Sequence, residues 1–100
     1  MAYEIIVKKR FTNKVVHLLK YLEKEWGKST ADNFIQTVER RIDTLSYHPY
    51  IGIQSGMKNV RSILISKQNR LYYRVKGAQI EILTLLDTRM DPKKNRYKKK

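Results

Sequence analysis

Residues 69–92 have the sequence NRLYYRVKGAQIEILTLLDTRMDP, which predicts two β-strands joined by a tight turn. Two sets of side chains alternate along the first strand: Leu71, Tyr73 and Val75 on one face, and Arg70, Tyr72 and Arg74 on the other. Gly77 at the first central position of a two-residue loop is typical of a type II′ hairpin turn. The second strand is apolar on both sides, which places it inside a sheet. The hairpin therefore has one apolar and one basic face, and the basic character continues to Arg89.

Two helical patterns precede this hairpin. In residues 11–26 and again in residues 31–45, apolar side chains recur at spacings of three and four, which is the period of one helical face. Residues 27–29 connect the two patterns, and Ser29 or Thr30 is suited to cap the second helix. Because neither apolar stripe can be buried alone, the two helices are expected to form an antiparallel hairpin.

Short apolar segments complete the pattern. Residues 3–7 predict a first strand, residues 59–66 predict a strand ahead of the hairpin, and residues 50–58 show no period and predict a loop. The order is a short N-terminal strand, an antiparallel helical hairpin and a three-stranded antiparallel meander. This order favours an α+β fold with the helices packed on one face of the sheet. Residues 1–92 are expected to form a single domain and residues 93–100 a basic C-terminal tail.

Composition restricts the classes of function. The chain has 100 residues and a formal net charge of +13, with 22 Lys and Arg against nine Asp and Glu. Such a field attracts phosphate backbones, anionic lipids or acidic proteins, of which nucleic acid is the commonest partner. Cysteine is absent, and His17 and His48 stand alone in the sequence, so neither a thiolate site nor a metal or cofactor site is predicted. No apolar run suggests a membrane span or a secretion signal, and a cytoplasmic protein is expected.

An ordered set of motifs runs through the chain: Ala31, Phe34 and Val38, then Leu45 before Pro49, then Val60-Arg61, the NRLYYRV segment at 69–75, the apolar strand at 80–86, and Arg89-Met90-Asp91-Pro92. With this set the sequence resembles the RelE/ParE superfamily of toxins. Each motif is loose by itself, but together they cover nearly the whole chain. The resemblance implies a growth-inhibiting toxin of a bacterial type II toxin–antitoxin module, held in check by a cognate acidic antitoxin.

Two mechanisms occur on this fold, and the fold alone does not choose between them. RelE-like members cut mRNA on the ribosome, whereas ParE-like members poison DNA gyrase and are not known as nucleases. The helical hairpin with Trp26-Gly27 at its bend and the ending at residues 89–92 are closer to the ParE-like branch, which is favoured here. A basic interaction module without toxicity, whose sole partner is an acidic antitoxin, is a third possibility.

The RelE-like alternative would need a metal-independent ribonuclease site. RNA cleavage through the 2′-hydroxyl needs a base, an acid and cations around the phosphorane. By resemblance, Arg70 and Arg89 would clamp the scissile phosphate. Arg61 and Lys67 would position it, with Lys67 the best local candidate for a base.

The sequence departs from that catalytic pattern at two points. Asn95 stands where RelE-like enzymes carry a stacking tyrosine, and Tyr97 lies two residues further on. Asp87 and Thr88 replace the Glu and His pair of the YoeB-like branch. If the chain is ParE-like, it is not an enzyme, and its basic residues contact gyrase or the DNA bound to gyrase.

A wider set of side chains is predicted to bind nucleic acid or another target: Arg74, Lys93, Lys94, Arg96 and Tyr97. Antitoxins of such modules use amphipathic segments that fill exposed grooves. Apolar side chains outside the core stripes could receive one, and the candidates are Val16, Tyr21 and Tyr50.

Overall fold

The elements follow one another in the chain as β1 (Glu4–Val7), α1 (Lys9–Trp26), α2 (Lys28–Tyr47), β2 (Ile53–Gln54), β3 (Val60–Ser66), β4 (Asn69–Lys76), β5 (Gln79–Asp87) and a 3-10 helix (Pro92–Lys94). They are seen in a computed structural model that describes residues 2–98. The strands form one sheet in the order β1-β5-β4-β3-β2. The predicted α+β class is confirmed, and β5 lies inside the sheet as its two apolar sides indicated.

The two helices pack against one face of the sheet because each has an apolar stripe. Phe11 and Val15 of α1 and Val38 and Leu45 of α2 are buried in the main core. From the sheet, six buried side chains join them: Ile65, Leu71, Tyr73, Ile80, Ile82 and Leu85. The hairpin of β4 and β5 thus supplies the floor of the core, as its alternating pattern predicted.

The connection between the helices is shorter than the sequence indicated. Gly27 alone joins them, at a φ of 95° that favours glycine. The prediction that Ser29 or Thr30 caps α2 is wrong, because α2 already begins at Lys28. Instead, the Thr30 hydroxyl of α2 donates a hydrogen bond at 3.3 Å to the carbonyl of Trp26, the last residue of α1, across the Gly27 connection.

The sheet contains two pairings that were not predicted. β2 adds an antiparallel edge strand beside β3, with Ile53 opposite Ser62. β1 pairs with β5 in parallel, with Ile5 opposite Ile80. A strand of two residues is too short to show a period. A parallel pair between segments 75 residues apart leaves no local signal in the sequence.

A buried tyrosine ties the loop after α2 to the sheet. The Tyr73 hydroxyl donates to the Pro49 carbonyl at 2.8 Å and accepts the Gly52 amide at 2.9 Å. Burial raises the pKa of Tyr73, so its hydroxyl keeps its proton and remains a donor. A Cβ built on Gly52 would lie 2.5 Å from the Tyr73 hydroxyl oxygen and 2.8 Å from the Ser62 carbonyl. Only glycine allows the loop to approach this closely.

The sheet face opposite the helices, which we call the outer face, carries Arg70, Tyr72 and Arg74 of β4. A bulge between Tyr72 and Tyr73 lets β5 place apolar residues on both faces. The chain after β5 returns over this face, and we call residues 92–97 the returning chain. Tyr97 packs with Val60 and Tyr72 in a second, smaller core. Residues 92–97, which the sequence suggested as the start of a tail, therefore cover part of the sheet.

Candidate functional site

A groove of about 380 Å³ lies between the outer face and the returning chain. Tyr72 and Leu86 form its floor, Asn95 and Tyr97 form the wall on the side of the returning chain, and Arg70 also lines it. The groove exists because β4 alternates its side chains between the core and the outer face. Two of the predicted site residues, Arg70 and Tyr97, line it.

Arg70 contributes a cation to this groove. One of its terminal nitrogens donates to the Ser62 hydroxyl at 2.9 Å. Within residues 2–98 no carboxylate lies within salt-bridge distance of the guanidinium. Most of its donors are therefore available to an anion, and the phosphate contact predicted for Arg70 stays a prediction.

Tyr97, which the sequence predicted as a target-binding residue, is buried against the outer face rather than exposed. Its side chain is only 6% exposed, and its ring stacks on Tyr72 at a centroid distance of 4.9 Å. The Gly56 amide donates to the Tyr97 carbonyl at 2.8 Å, and the Asn95 amide group donates to the Tyr72 hydroxyl at 3.0 Å. With its ring stacked inside the protein, Tyr97 holds the returning chain in place and offers little surface to a base.

Arg89 forms an ion pair outside the groove. Its guanidinium donates to both carboxylate oxygens of Asp87, at 3.0 and 2.8 Å, and its backbone amide donates to Asp87 at 2.7 Å. These contacts, with the side-chain hydrogen bond as the largest cause, lower the pKa of Asp87 to about 2. Asp87 lines the groove, but a carboxylate with this pKa is a weak base at neutral pH.

We expect an Arg89→Gln variant to raise the pKa of Asp87 from about 2 towards its ordinary value of 3.8. Because the folded pKa lies below the ordinary one, the ion pair stabilises the fold above about pH 4 and loses this effect as the pH falls towards 2. An NMR titration of the side-chain carboxyl carbon measures the shift. Lys93→Gln removes a neighbouring charge and should leave the titration unchanged. A pKa of 3.8 in the unmodified chain would contradict the pairing.

Arg74 is neutralised on the outer face. It donates to Glu81 on β5 at 2.8 Å, and the Lys8 ammonium lies 3.2 Å from the other carboxylate oxygen. The hydrogen bond from Arg74 is the largest cause that lowers the pKa of Glu81. The two residues are direct cross-strand neighbours, so register, rather than composition, determines this pair.

Arg61 and Lys67 do not reach the groove. Arg61 follows Val60 on β3 and points to the face opposite Ser62, where it donates to the Gly52 carbonyl at 2.8 Å. Lys67 lies in the exposed turn between β3 and β4, and its carbonyl accepts the Thr88 hydroxyl at 3.1 Å. Of the four residues proposed for catalysis, the structure thus places only Arg70 among the groove residues.

The basic residues of the returning chain are exposed. Lys93 and Lys94 belong to the 3-10 helix, where the Lys93 amide donates to Asp91 at 2.9 Å. The Arg96 guanidinium lies 5.5 Å from the centre of the Tyr97 ring, which fits a cation–π contact. Stacking of Tyr97 thus fixes where this part of the chain presents its charges.

Ser62 and Glu81 were missed by the sequence analysis although they partner Arg70 and Arg74. The only signal that could have found them is the strand register, which sets them on the same face as the arginines. Within residues 2–98, no group of three or more potential ligand side chains could hold a metal ion. Nor is any helix in that range long and apolar enough to cross a membrane.

A comparison with protein families finds a match that covers residues 5–92. The matching family is described as "ParE toxin of type II toxin-antitoxin system, parDE". The chain belongs to the ParE toxin family. The match spans the helical hairpin and all five strands, and it confirms the resemblance that the motifs indicated. Curated protein sequences, by contrast, give no significant match.

Solved structures resemble this ParE-family chain along most of its length. A chain of the chromosomal ParDE system from P. aeruginosa superposes with a TM-score of 0.75 at 17% identity, covering 86% of this chain and 96% of the other. The isolated E. coli RelE toxin gives a TM-score of 0.60 at 16% identity, covering 90% of this chain and 88% of the other. A chain of the E. coli DinJ-YafQ complex gives a TM-score of 0.61 at 10% identity, covering 87% of this chain and 93% of the other. At such identities the likeness concerns the fold.

The groove of this ParE-family chain can bind an anion but is poorly equipped for proton transfer. Arg70 supplies positive charge, while Asp87 is held as the partner of Arg89. The other cations of the predicted catalytic set lie outside the groove. This arrangement favours binding over acid–base chemistry.

Proposed function

We propose that the chain inhibits bacterial growth by poisoning DNA gyrase on DNA, and that it acts in the cytoplasm without being an enzyme. The family match over residues 5–92 carries this proposal. The groove supports it, because Arg70 is available to an anion, whereas the pKa of about 2 makes the Asp87 carboxylate a weak base. A poison that stabilises a complex needs contacts rather than proton transfer.

We also propose a cognate acidic antitoxin as the partner that neutralises the toxin. The helical hairpin exposes large apolar side chains, with Val16, Tyr21 and Trp26 exposed by 45%, 54% and 69%. Tyr50, in the loop beyond α2, is 59% exposed. An amphipathic acidic segment would cover this surface and offset the net charge of +13. Two of the similar structures, a ParDE system and a DinJ-YafQ complex, come from toxin–antitoxin systems.

The test is induction of the chain in bacteria that lack the antitoxin. We expect growth arrest with broken chromosomal DNA and intact mRNA, because the gyrase complex is trapped while no message is cut. DNA breaks are measured by gel electrophoresis of chromosomal DNA, and the 5′ ends of a translated mRNA are mapped by primer extension. A gyrase variant resistant to poisoning should restore growth, whereas a silent, uninduced plasmid serves as the control for expression.

Two outcomes would replace the proposal. New mRNA 5′ ends in codon register, absent for Arg70→Ala, would make the chain a ribosome-dependent endoribonuclease, a candidate favoured by the available Arg70 guanidinium. Normal growth with both DNA and mRNA intact would make it an inactive basic module that binds its antitoxin.

A further inference from the structure

A second concave site lies where β5 extends beyond the end of β1. It is a pocket of about 140 Å³ between the start of α1 and the returning chain. Four cationic side chains surround it, Arg10 and Lys14 from α1 and Lys94 and Arg96 from the returning chain. We call these four residues the basic ring. Lys94 and Arg96 belong to the set that the sequence predicted to bind nucleic acid, whereas Arg10 and Lys14 were not singled out.

The start of α1 is electrostatically unusual. Lys8 occupies the N-cap position and provides no side-chain hydrogen bond, and no acidic residue lies in the first turn. The N-terminus of a helix carries a partial positive charge, which favours anions and disfavours cations. Here Lys9 and Arg10 stand in the first turn, and the described carboxylate that pairs at this helix start, Glu81, contacts Lys8 rather than either of them.

The basic ring is unpaired within residues 2–98. The three salt bridges in that range use Lys8, Arg74 and Arg89, and none uses a member of the ring. On the outer face, by contrast, Arg74 has Glu81 as its partner. The chain thus neutralises some of its cations and leaves four of them together around one pocket.

A buried hydroxyl group in the pocket lining also lacks a partner. Thr84 on β5 is 1% exposed, and its hydroxyl forms no hydrogen bond within the described residues. Buried polar groups are nearly always hydrogen-bonded, so an orphaned hydroxyl calls for an explanation. It can donate to an oxygen of a ligand that enters the pocket.

We propose that the basic ring binds a backbone phosphate of nucleic acid, with Thr84 as an added donor. A phosphate offers several acceptor oxygens, which suits cations that approach from two sides and a helix N-terminus. Lys9 and Lys93 flank the ring in sequence and extend the positive surface along a backbone. The inference rests on the proposed function in taking DNA as part of the target.

The test compares two double variants of equal charge. Arg10→Gln/Lys14→Gln removes half of the ring, and Lys20→Gln/Lys24→Gln removes two exposed cations at the same spacing further along α1. Binding of the purified full chain to a short labelled DNA duplex is measured by fluorescence anisotropy at several salt concentrations. Each lost phosphate contact should lower the salt slope by about 0.9, which corresponds to roughly eightfold weaker binding at about 0.1 M salt. The Lys20→Gln/Lys24→Gln control should change the salt slope and the DNA affinity much less.

A third variant tests the pocket without a change in charge. Thr84→Val keeps the shape of the side chain and removes the orphaned hydroxyl. We expect weaker DNA binding with an unchanged salt slope, and an equal or higher Tm, because the hydroxyl has no partner to lose. The Arg10→Gln/Lys14→Gln variant should likewise keep or raise its Tm, since it removes like charges from the helix start.

Three outcomes would overturn the proposal. Equal losses in both double variants would mean that only net charge matters. Unchanged DNA binding together with weaker binding of an acidic polyglutamate peptide would assign the ring to an acidic protein. Full DNA affinity in Thr84→Val would remove the hydroxyl from the site. Because binding is measured without gyrase, failure of the growth assay leaves the result interpretable.

Discussion

Replacing Gly52 by alanine is expected to lower the free energy of unfolding by about 3–5 kcal/mol, because overpacking adds to the loss of buried hydrogen bonds. The new methyl group would meet the Tyr73 hydroxyl at 2.5 Å and the Ser62 carbonyl at 2.8 Å. Relief requires movement of Tyr73, which would break its bonds to Pro49 and Gly52. The melting temperature (Tm) should fall by at least about 12 °C for a domain of this size.

Two further variants separate the causes. Gly27→Ala places alanine at a φ of 95° with no atom within 4 Å, so it tests backbone strain without a clash. It should cost about 1–2 kcal/mol. Tyr73→Phe removes the closest clashing atom, so Gly52→Ala should cost less in that background than in the original one. An equal cost in both backgrounds would show that the Tyr73 hydroxyl is not the obstacle.

Replacing Tyr97 by alanine is expected to cost about 2–4 kcal/mol, since a buried ring and an aromatic stack are both lost. The ring covers Val60 and Tyr72, which form the second core with it. Without it, residues 92–97 should separate from the outer face and the groove should open. Urea unfolding measures the stability. Amide exchange at Gly56, whose N–H bonds to the Tyr97 carbonyl, reports the separation.

Tyr97→Phe is the matched control, because it keeps the ring and the stack. Its stability should lie within about 0.5 kcal/mol of the original chain, and the Gly56 amide should stay protected. If alanine and phenylalanine had the same effect, the stack would not be what holds the chain on the outer face. Protected exchange at Gly56 in Tyr97→Ala would likewise contradict this role.

Sequence periodicity predicted the elements that have a strong local pattern. The alternation at residues 70–75 and the stripes at 11–26 and 31–45 gave the hairpin and both helices, because these patterns reflect burial on one face. Gly27 was placed correctly between the helices, but the length of the connection depends on backbone geometry. The pairing of β1 with β5 joins distant segments and could not be inferred from local residues.

The candidate site was predictable only in part. Arg70 was expected on the outer face, and it lies in the groove. Arg89 was expected to lie beside Arg70. Instead it forms an ion pair with Asp87, two residues earlier in the chain, and this pair depends on the turn after β5. Tyr97 was expected to contact a target, and the buried stack on Tyr72 follows from the path of the returning chain, which composition does not specify.

The parallel pairing of β1 and β5 also bears on how the protein is made. Glu4 of β1 pairs with Gln79 of β5, so β1 has no neighbouring strand until β5 has been synthesised. Contacts of such long sequence separation form late and slow folding. A fragment from an interrupted message would lack β5 and could not close the sheet. The cell would therefore meet a folded domain only after β5 has been translated.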